Sequence, residues 1–321
     1  MTGIPAMSNN KKPEKFIFFI NPLARDGKLG RQWQEVEHHF KEQLPQTEFL
    51  MPTSPDQCRE QVANRARQEN VCLVAVGGEG TMNTVANGIL DVRREHDVCM
   101  GLVPYGNVND YAMTIGMHRN WHHALETLKA CQMQKVGVTE LVTLRGSFYS
   151  LNLADVGFGA STAKQHSVDR QLAWLKGQFK YNMLAIKMLL KWRNVPSHIV
   201  IDDESIDGEL SILLAGFSPT LGAFRLVPHA RPFSDTMAIT VGIGLKKLEM
   251  LKRIQQSKSG EIKADEHIFY RSGSRVVVEV DRPLVCEVDG EIVDTEAYRV
   301  EFIAHPRRLN FLVPAVSLVE K

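Results

Sequence analysis

The sequence predicts an α/β domain followed by an all-β sandwich. Three observations predict it. From Lys15 to about residue 115, short apolar runs of strand length alternate with amphipathic helical stretches, the pattern of a parallel sheet with right-handed crossovers and helices on both faces. Inside that region the apolar run Leu73–Val76 breaks at Gly77-Gly78-Glu79-Gly80-Thr81 and resumes as a helix. Beyond about Gly137 the alternation gives way to short strands separated by turn residues, as in an antiparallel sandwich or barrel.

In order, KFIFFI from Lys15 to Ile20 is the first strand, ended by Asn21-Pro22. Leu23 to Lys28 form a polar loop, and a helix is expected from about Gly30 to Leu44 with Trp33, Val36, Phe40 and Leu44 on one face. Thr47 to Met51 is a second strand closed by Pro52, and Thr53-Ser54-Pro55-Asp56 turns into a helix expected from about Asp56 to Glu69. After the glycine turn, Met82, Val85, Ala86, Ile89 and Leu90 stand at helical spacing. Asp97 to Val103 is a fourth buried strand, broken at Pro104-Tyr105-Gly106-Asn107-Val108-Asn109-Asp110.

The second half reads as strands at Thr139 to Leu144, Ser147 to Val156, Ser197 to Ile201, Gly208 to Gly216, Met237 to Val241, Arg275 to Val280, Leu284 to Val288 and Tyr298 to Ala304. A hairpin turn is expected at Asp207-Gly208. A long helix is expected from about Arg170 to Trp192 and a shorter one from Glu249 to Lys258.

Composition narrows the function classes. Lys+Arg total 38 against 37 Asp+Glu, so a net charge of +1 gives no global pull toward nucleic acid or anionic lipid. No apolar run approaches the roughly 18 residues that cross a bilayer. The opening MTGIPAMSNNKKPEK lacks an apolar signal core and reads as a short disordered leader. The five cysteines are scattered with no CxxC pair, the usage of reduced thiols in a cytoplasmic protein.

The chemistry lies in the turns. Strand, glycine-rich turn and helix make a phosphate-binding arrangement, because glycines let backbone N–H groups approach an anion and the helix N-terminus adds its positive dipole end. The turns Gly77 to Thr81 and Gly106 to Asp110 both follow parallel strands, so both belong at the sheet's carboxyl edge, with Asn21 to Arg25 as a third wall. The pattern is neither a Walker A loop nor a dinucleotide fingerprint. Beside phosphates, the Glu79 carboxylate suits Mg²⁺, directly or through water.

GGEGTMNTVANG, the loop Pro104 to Asp110, and Cys286-Glu287-Val288-Asp289-Gly290-Glu291 resemble, in that order, the GGDGTxNE, PxGTxND and DGE motifs of the diacylglycerol kinase catalytic family, which includes bacterial soluble lipid kinases, sphingosine kinases and ceramide kinases. NPLARDGK resembles that family's opening loop, and NLADVGFGA resembles the segment opening its second domain. The match runs from Phe16 to Pro314.

The resemblance implies an N-terminal domain like those of phosphofructokinase and NAD kinase at residues 14–138 with a C-terminal return at 306–321, a β-sandwich lipid domain at 139–305, and a site in the cleft between them. It implies an ATP- and Mg²⁺-dependent kinase acting on the hydroxyl of a diacylglycerol-like lipid. The nucleotide residues would be Asn21, Pro22, Leu23, Ala24, Arg25, Thr53, Gly77, Gly78, Glu79, Gly80, Thr81, Met82, Asn83 and Asn107. Glu291 would be the general base, with Asp289 its partner or a metal contact. Arg231 to Met237 resembles a structural Mg²⁺ loop, with Asp235 as side-chain ligand beside the carbonyls of Pro232 and Met237.

The chain departs from the family pattern at Glu79 (family Asp), Thr84 (family Glu), Asn107 (family Thr), Val108 (family small residue) and Thr236 (family Gly). Two other readings stay open: an NAD-kinase-like enzyme, and a non-catalytic nucleotide- or lipid-binding protein. The helix from Leu172 to Trp192, with lysines among apolar residues, reads as an amphipathic cover over a lipid pocket or as a helix packed on the sandwich. The expected setting is cytoplasmic, peripheral at the inner membrane surface, with transient membrane contact, a lipid alcohol as substrate, no nucleic-acid partner and a possible homodimer.

Overall fold

The computed structural model describes residues 12–68, 70–92, 98–168, 187–222, 224–260 and 262–315. Two compact units divide the chain: Met1–Val136 with Arg307–Lys321, and Gly137–Pro306.

The first unit is built on β1 (Lys15–Ile20), β2 (Gln46–Leu50), β3 (Val71–Gly77), β4 (Cys99–Pro104) and the end of β15 (Glu291–Leu312). Hydrogen bonding places them in the order β15, β4, β3, β1, β2, and each of these neighbouring pairs is parallel. All seven residues of β3 are buried, as a continuous apolar run in a two-sided sheet requires. The helices are α1 (Ala24–Gln43), α2 (Pro55–Arg65), α3 (Glu79–Leu90), α4 (Asp110–Thr114) and α5 (Trp121–Ala130). On α1, Trp33 and Phe40 lie against Phe18 of β1, with ring centroids 6.1 and 5.3 Å away.

Two helix starts differ from expectation. Helical turns begin at Ala24, but Arg25, Asp26 and Gly27 adopt left-handed backbone angles, so a kink separates the first turn from the regular helix. Helix α2 starts at Pro55 rather than Asp56, because the Ser54 hydroxyl accepts the Gln57 amide at 3.1 Å and Pro55 is preset for the first helical position.

The second unit carries most of β5 (Met133–Thr143), then β6 (Gly146–Ser150), β7 (Leu153–Gly157), α6 (Phe158–Val168), α7 (187–191), β8 (Val195–Ile201), β9 (Glu204–Gly216), β10 (Thr220–Leu221), β11 (Phe224–Arg225), β12 (Met237–Ile243), α8 (Lys247–Ser259), β13 (Ile268–Gly273), β14 (Arg275–Val288) and the start of β15. The pairs β7/β9, β7/β14, β8/β9, β8/β14, β9/β12, β12/β13 and β14/β15 are all antiparallel. Ile199, Leu213, Val241, Val276 and Phe302 belong to its shared apolar core.

Three readings of this unit are corrected. The β8–β9 turn lies at Asp202-Asp203, with Asp202 at φ +48°, while Asp207-Gly208 sits inside β9 opposite His198 and Ser197. Arg275 to Val288 is one strand with register shifts, not two strands. The stretch expected to be one strand from Ser147 to Val156 is β6 and β7, parted by a turn at Leu151-Asn152. The helix expected from Arg170 to Trp192 lies outside the described residues except at 187–191.

Candidate active site

In the first unit the strand ends converge on the predicted turn. Gly78 caps α3 in extended backbone, and the first helical bond runs from the Met82 amide to the Gly78 carbonyl at 3.0 Å. The amides ahead of Met82 therefore have no partner inside the helix and stand at its positive end. A Cβ on Gly77 would meet the Thr81 hydroxyl at 2.4 Å, and one on Gly106 would meet the Gly78 Cα at 2.6 Å. Both turns need glycine because each backbone is packed on its neighbour.

Asn21 ties the first loop to this turn. Its side-chain amide donates to the Thr81 hydroxyl at 3.1 Å, and its side-chain oxygen accepts the Leu23 amide at 3.1 Å. The Tyr105 amide donates to the Gly77 carbonyl at 2.7 Å. Glu79 reaches the second glycine turn, where its Oε1 accepts the Asp110 amide at 2.9 Å. Asn109, in left-handed conformation, closes that turn by exchanging hydrogen bonds with Gly106 at 2.9 and 3.0 Å.

A pocket of about 320 Å³ beside these turns is lined by Arg25, Tyr105, Asn107, Arg119, Asn120 and Trp121, among others. The Arg25 guanidinium lies 5.5 Å from the Tyr105 ring centroid. Trp121 stacks between the rings of His39 and His122 in sequence order, at 4.8 and 3.5 Å.

The other predicted nucleotide residues have the following surroundings. The Met82 side chain is buried in the core and its amide is used by the helix. The Pro22 carbonyl accepts the Gly30 amide, and Leu23 is 77% exposed. Thr53 is exposed, with both its amide and its hydroxyl bound to the Gln57 side chain. Asn83 accepts from Asn87 at 3.0 Å. Thr84 donates its hydroxyl to the Gly80 carbonyl at 2.8 Å, a helix back-bond where the family has a carboxylate. The prediction passed over Asp110, Tyr105, Arg119 and Trp121. Asp110 was visible as the acid ending the second turn, whereas the two pocket residues on and before α5 carried no motif.

In the second unit Glu291 is exposed at the β14–β15 turn, while Asp289 is buried at φ +49°. The Asp289 carboxylate accepts the Ser150 hydroxyl at 2.5 Å and the amides of Leu151, Asn152 and Leu153 at 3.0, 2.9 and 3.2 Å. It anchors the turn between β6 and β7.

One residue pair near this turn was given no role by the sequence. Asp155 of β7 and Glu287 of β14 are register partners, 1% and 5% exposed. Burial, then the neighbouring Glu287 charge, hold the Asp155 carboxyl well above the usual carboxylate range. Burial pushes Glu287 up to about 7.

On the loop before β12, the Pro232 carbonyl accepts the Gly137 amide at 2.8 Å, which leaves it one lone pair. Asp235 is exposed, and Met237 begins β12 opposite Gly273.

The model of the diacylglycerol kinase catalytic domain matches residues 15–141, and that of the YegS C-terminal NAD kinase beta sandwich-like domain matches residues 154–313. The chain belongs to the diacylglycerol kinase catalytic family. As a member it is a phosphotransferase of the lipid kinase type. It is 25% identical over 274 residues to the diacylglycerol kinase of Bacillus subtilis (strain 168), covering 84% of this chain and 88% of that one. It is 26% identical over 231 residues to the diacylglycerol kinase of Staphylococcus saprophyticus, covering 71% and 73%. A solved diacylglycerol kinase from Bacillus anthracis str. Sterne shares the fold at a TM-score of 0.71 and 16% identity, covering 96% of this chain and all of that one (100%).

Proposed function

We propose that this member of the diacylglycerol kinase family is an ATP- and Mg²⁺-dependent kinase that phosphorylates the hydroxyl of a diacylglycerol-like lipid. The observation that carries the reading is the cradle in the first unit. There the Asn21–Thr81 hydrogen bond and the packed glycines hold the first-turn amides of α3 at the carboxyl end of a parallel sheet. Those amides would bind the polyphosphate, and Arg25 and Asn107 would line the pocket beside it.

Glu79, whose Oε1 accepts the Asp110 amide beside the phosphate-binding turn, would supply a carboxylate to Mg²⁺, directly or through water. When bound, the ion would offset charge on the phosphate oxygens. Asp235, with the carbonyls of Pro232 and Met237, would hold a second ion that orders its loop. Glu291 would accept the proton of the lipid hydroxyl as its oxygen attacks the γ-phosphorus and the bond to the ADP oxygen breaks. The exposed position of Glu291 suits a group that must meet a substrate. A lipid substrate implies peripheral contact with the membrane surface. No helix among the described residues is long and apolar enough to cross a membrane.

The back-bonded Thr84 favours a second reading, a nucleotide- or lipid-binding protein without turnover. Transfer of radiolabelled phosphate from Mg-ATP to a panel of lipid alcohols, run beside Glu291→Gln, tests the first reading. Tight ATP binding with no transfer to any lipid would favour the second.

A further inference from the structure

The loop after β1 holds its shape against a backbone preference. Arg25 and Asp26 are consecutive non-glycine residues in left-handed conformation, φ +52° and +58°, and Gly27 follows at +77°. In that region the Cβ of an L-residue crowds the following carbonyl oxygen, so such angles persist only where the surroundings hold them. Three backbone bonds of 3.1 Å do so here, from the amides of Ala24, Gly27 and Gly30 to the carbonyls of Asn21, Leu23 and Pro22. Arg25 lies in this strained turn, and its guanidinium stands 5.5 Å from the centroid of the Tyr105 ring, in the pocket beside the glycine turns.

Tyr105 is fixed from the other side. It is half-buried, its amide donates to the Gly77 carbonyl at 2.7 Å, and the next residue, Gly106, is packed so closely that a Cβ there would stand 2.6 Å from the Gly78 Cα. The ring is therefore tied to the turn that opens α3. A ring face attracts a guanidinium without neutralising it, as a carboxylate would. Among the described residues Arg25 makes no ion pair, whereas Arg119, the other cation of the pocket, donates to the Val108 carbonyl.

We propose that Tyr105 is a positioning residue for Arg25: its ring holds the guanidinium beside the cradle, so that a triphosphate entering there meets a cation already in place. This rests on the nucleotide reading of the cradle. Ordering the long arginine side chain before binding removes part of the entropy that binding would otherwise cost. A ring that instead parked Arg25 away from the phosphates would have to release it, and removing that ring would tighten binding. The sign of one measurement separates the two arrangements.

The test uses the full chain with Arg25→Ala, Tyr105→Leu, Tyr105→Phe and the double variant Arg25→Ala/Tyr105→Leu. In calorimetric titration with Mg-ATP, Arg25→Ala should bind about tenfold more weakly than wild type. Tyr105→Leu should bind about two- to fivefold more weakly. Tyr105→Phe, which keeps the ring, should bind as wild type does. The double variant should be no weaker than Arg25→Ala alone, because Tyr105 acts only through Arg25. Tighter binding by Tyr105→Leu, a Tyr105→Phe as weak as Tyr105→Leu, or fully additive losses would overturn the positioning role while leaving the nucleotide site in place.

The contact also has a readout that needs no ligand. In nitrogen-15 NMR of arginine-labelled protein, the Arg25 Nε–H resonance is identified by its absence from Arg25→Ala. The ring should displace it in wild type and in Tyr105→Phe, and it should return toward the exposed-arginine position in Tyr105→Leu. An unchanged resonance in Tyr105→Leu would overturn the contact. Should wild type bind no Mg-ATP, the nucleotide reading fails, and the same cycle is run with inorganic tripolyphosphate. Non-additive losses there uphold the positioning of Arg25, and absence of binding overturns it as well.

Discussion

The side-chain amide of Asn21, at the end of β1, donates to the Thr81 hydroxyl in the first turn of α3 at 3.1 Å. One end of that bond sits on a strand terminus and the other on a helix N-terminus, so it fixes the opening loop against the glycine turn. Asn21→Ala leaves the Leu23 amide and the Thr81 hydroxyl to water. It is expected to cost about 1 kcal/mol of stability and to weaken ATP binding by about tenfold in calorimetry. Unchanged affinity would mean that the loop is no wall of the site.

Two glycines of the same stretch should behave differently. Gly88 lies inside α3, where a Cβ would come within 2.8 Å of both the Arg59 carbonyl and Val62 on α2. Gly88→Ala should lower the thermal midpoint, at a cost of about 1–3 kcal/mol, and leave ATP affinity near wild type. Gly77→Ala places its methyl against the Thr81 hydroxyl at 2.4 Å and should reduce both. Scanning calorimetry and an ATP titration on the two variants separate these outcomes.

The two acids of the β14–β15 turn should separate in the same way. Asp289→Asn replaces a carboxylate that accepts four hydrogen bonds by a group that partly donates, and should destabilise the second unit by about 3 kcal/mol. Glu291 is exposed, so Glu291→Gln should leave the unfolding midpoint within a degree or so while kcat falls by about 10²–10⁴. If Glu291→Gln turned over normally, the base would have to be sought elsewhere.

Stability should depend on pH through Glu287. Its folded pKa of about 7 lies above the ordinary value of 4.5, so the folded state binds its proton more tightly than the unfolded one. The stabilisation is therefore complete below about pH 4.5 and is lost as pH rises through 7, amounting to about 3 kcal/mol. Urea unfolding across that window should show the decline in wild type, and Glu287→Gln should flatten it.

Sequence and structure agree where a local pattern decides the outcome. The run Leu73–Val76 could only be a buried strand, and the glycines after it only a tight turn. Arg25 to Gly27 misled because left-handed angles in two non-glycine residues leave no compositional mark. Helix α6 was missed because Phe158-Gly159-Ala160-Ser161 lacks apolar periodicity; its first turn is shaped by Asp155 receiving the Ala160 amide. The hydrogen bonds of Asp289 were illegible because three of its four partners are backbone amides on a distant turn, and main-chain groups have no letter in a sequence. Asp155 and Glu287 became a pair only through strand register, which a one-residue slip would have undone.

Strand β15 starts at Glu291 in the second unit and ends at Leu312, where Asn310 and Phe311 pair with Cys99 and Met100 on β4. During synthesis, the first unit's sheet therefore waits for residues made after the whole second unit. Until they emerge, β4 has an unpaired edge, and Tyr111 lacks the Phe311 ring that stands 5.5 Å away. A nascent chain halted before Arg307 presents an open parallel edge of apolar residues, the surface on which β-sheets recruit one another. A truncation before Asn310 should therefore appear as aggregation rather than as a milder enzyme.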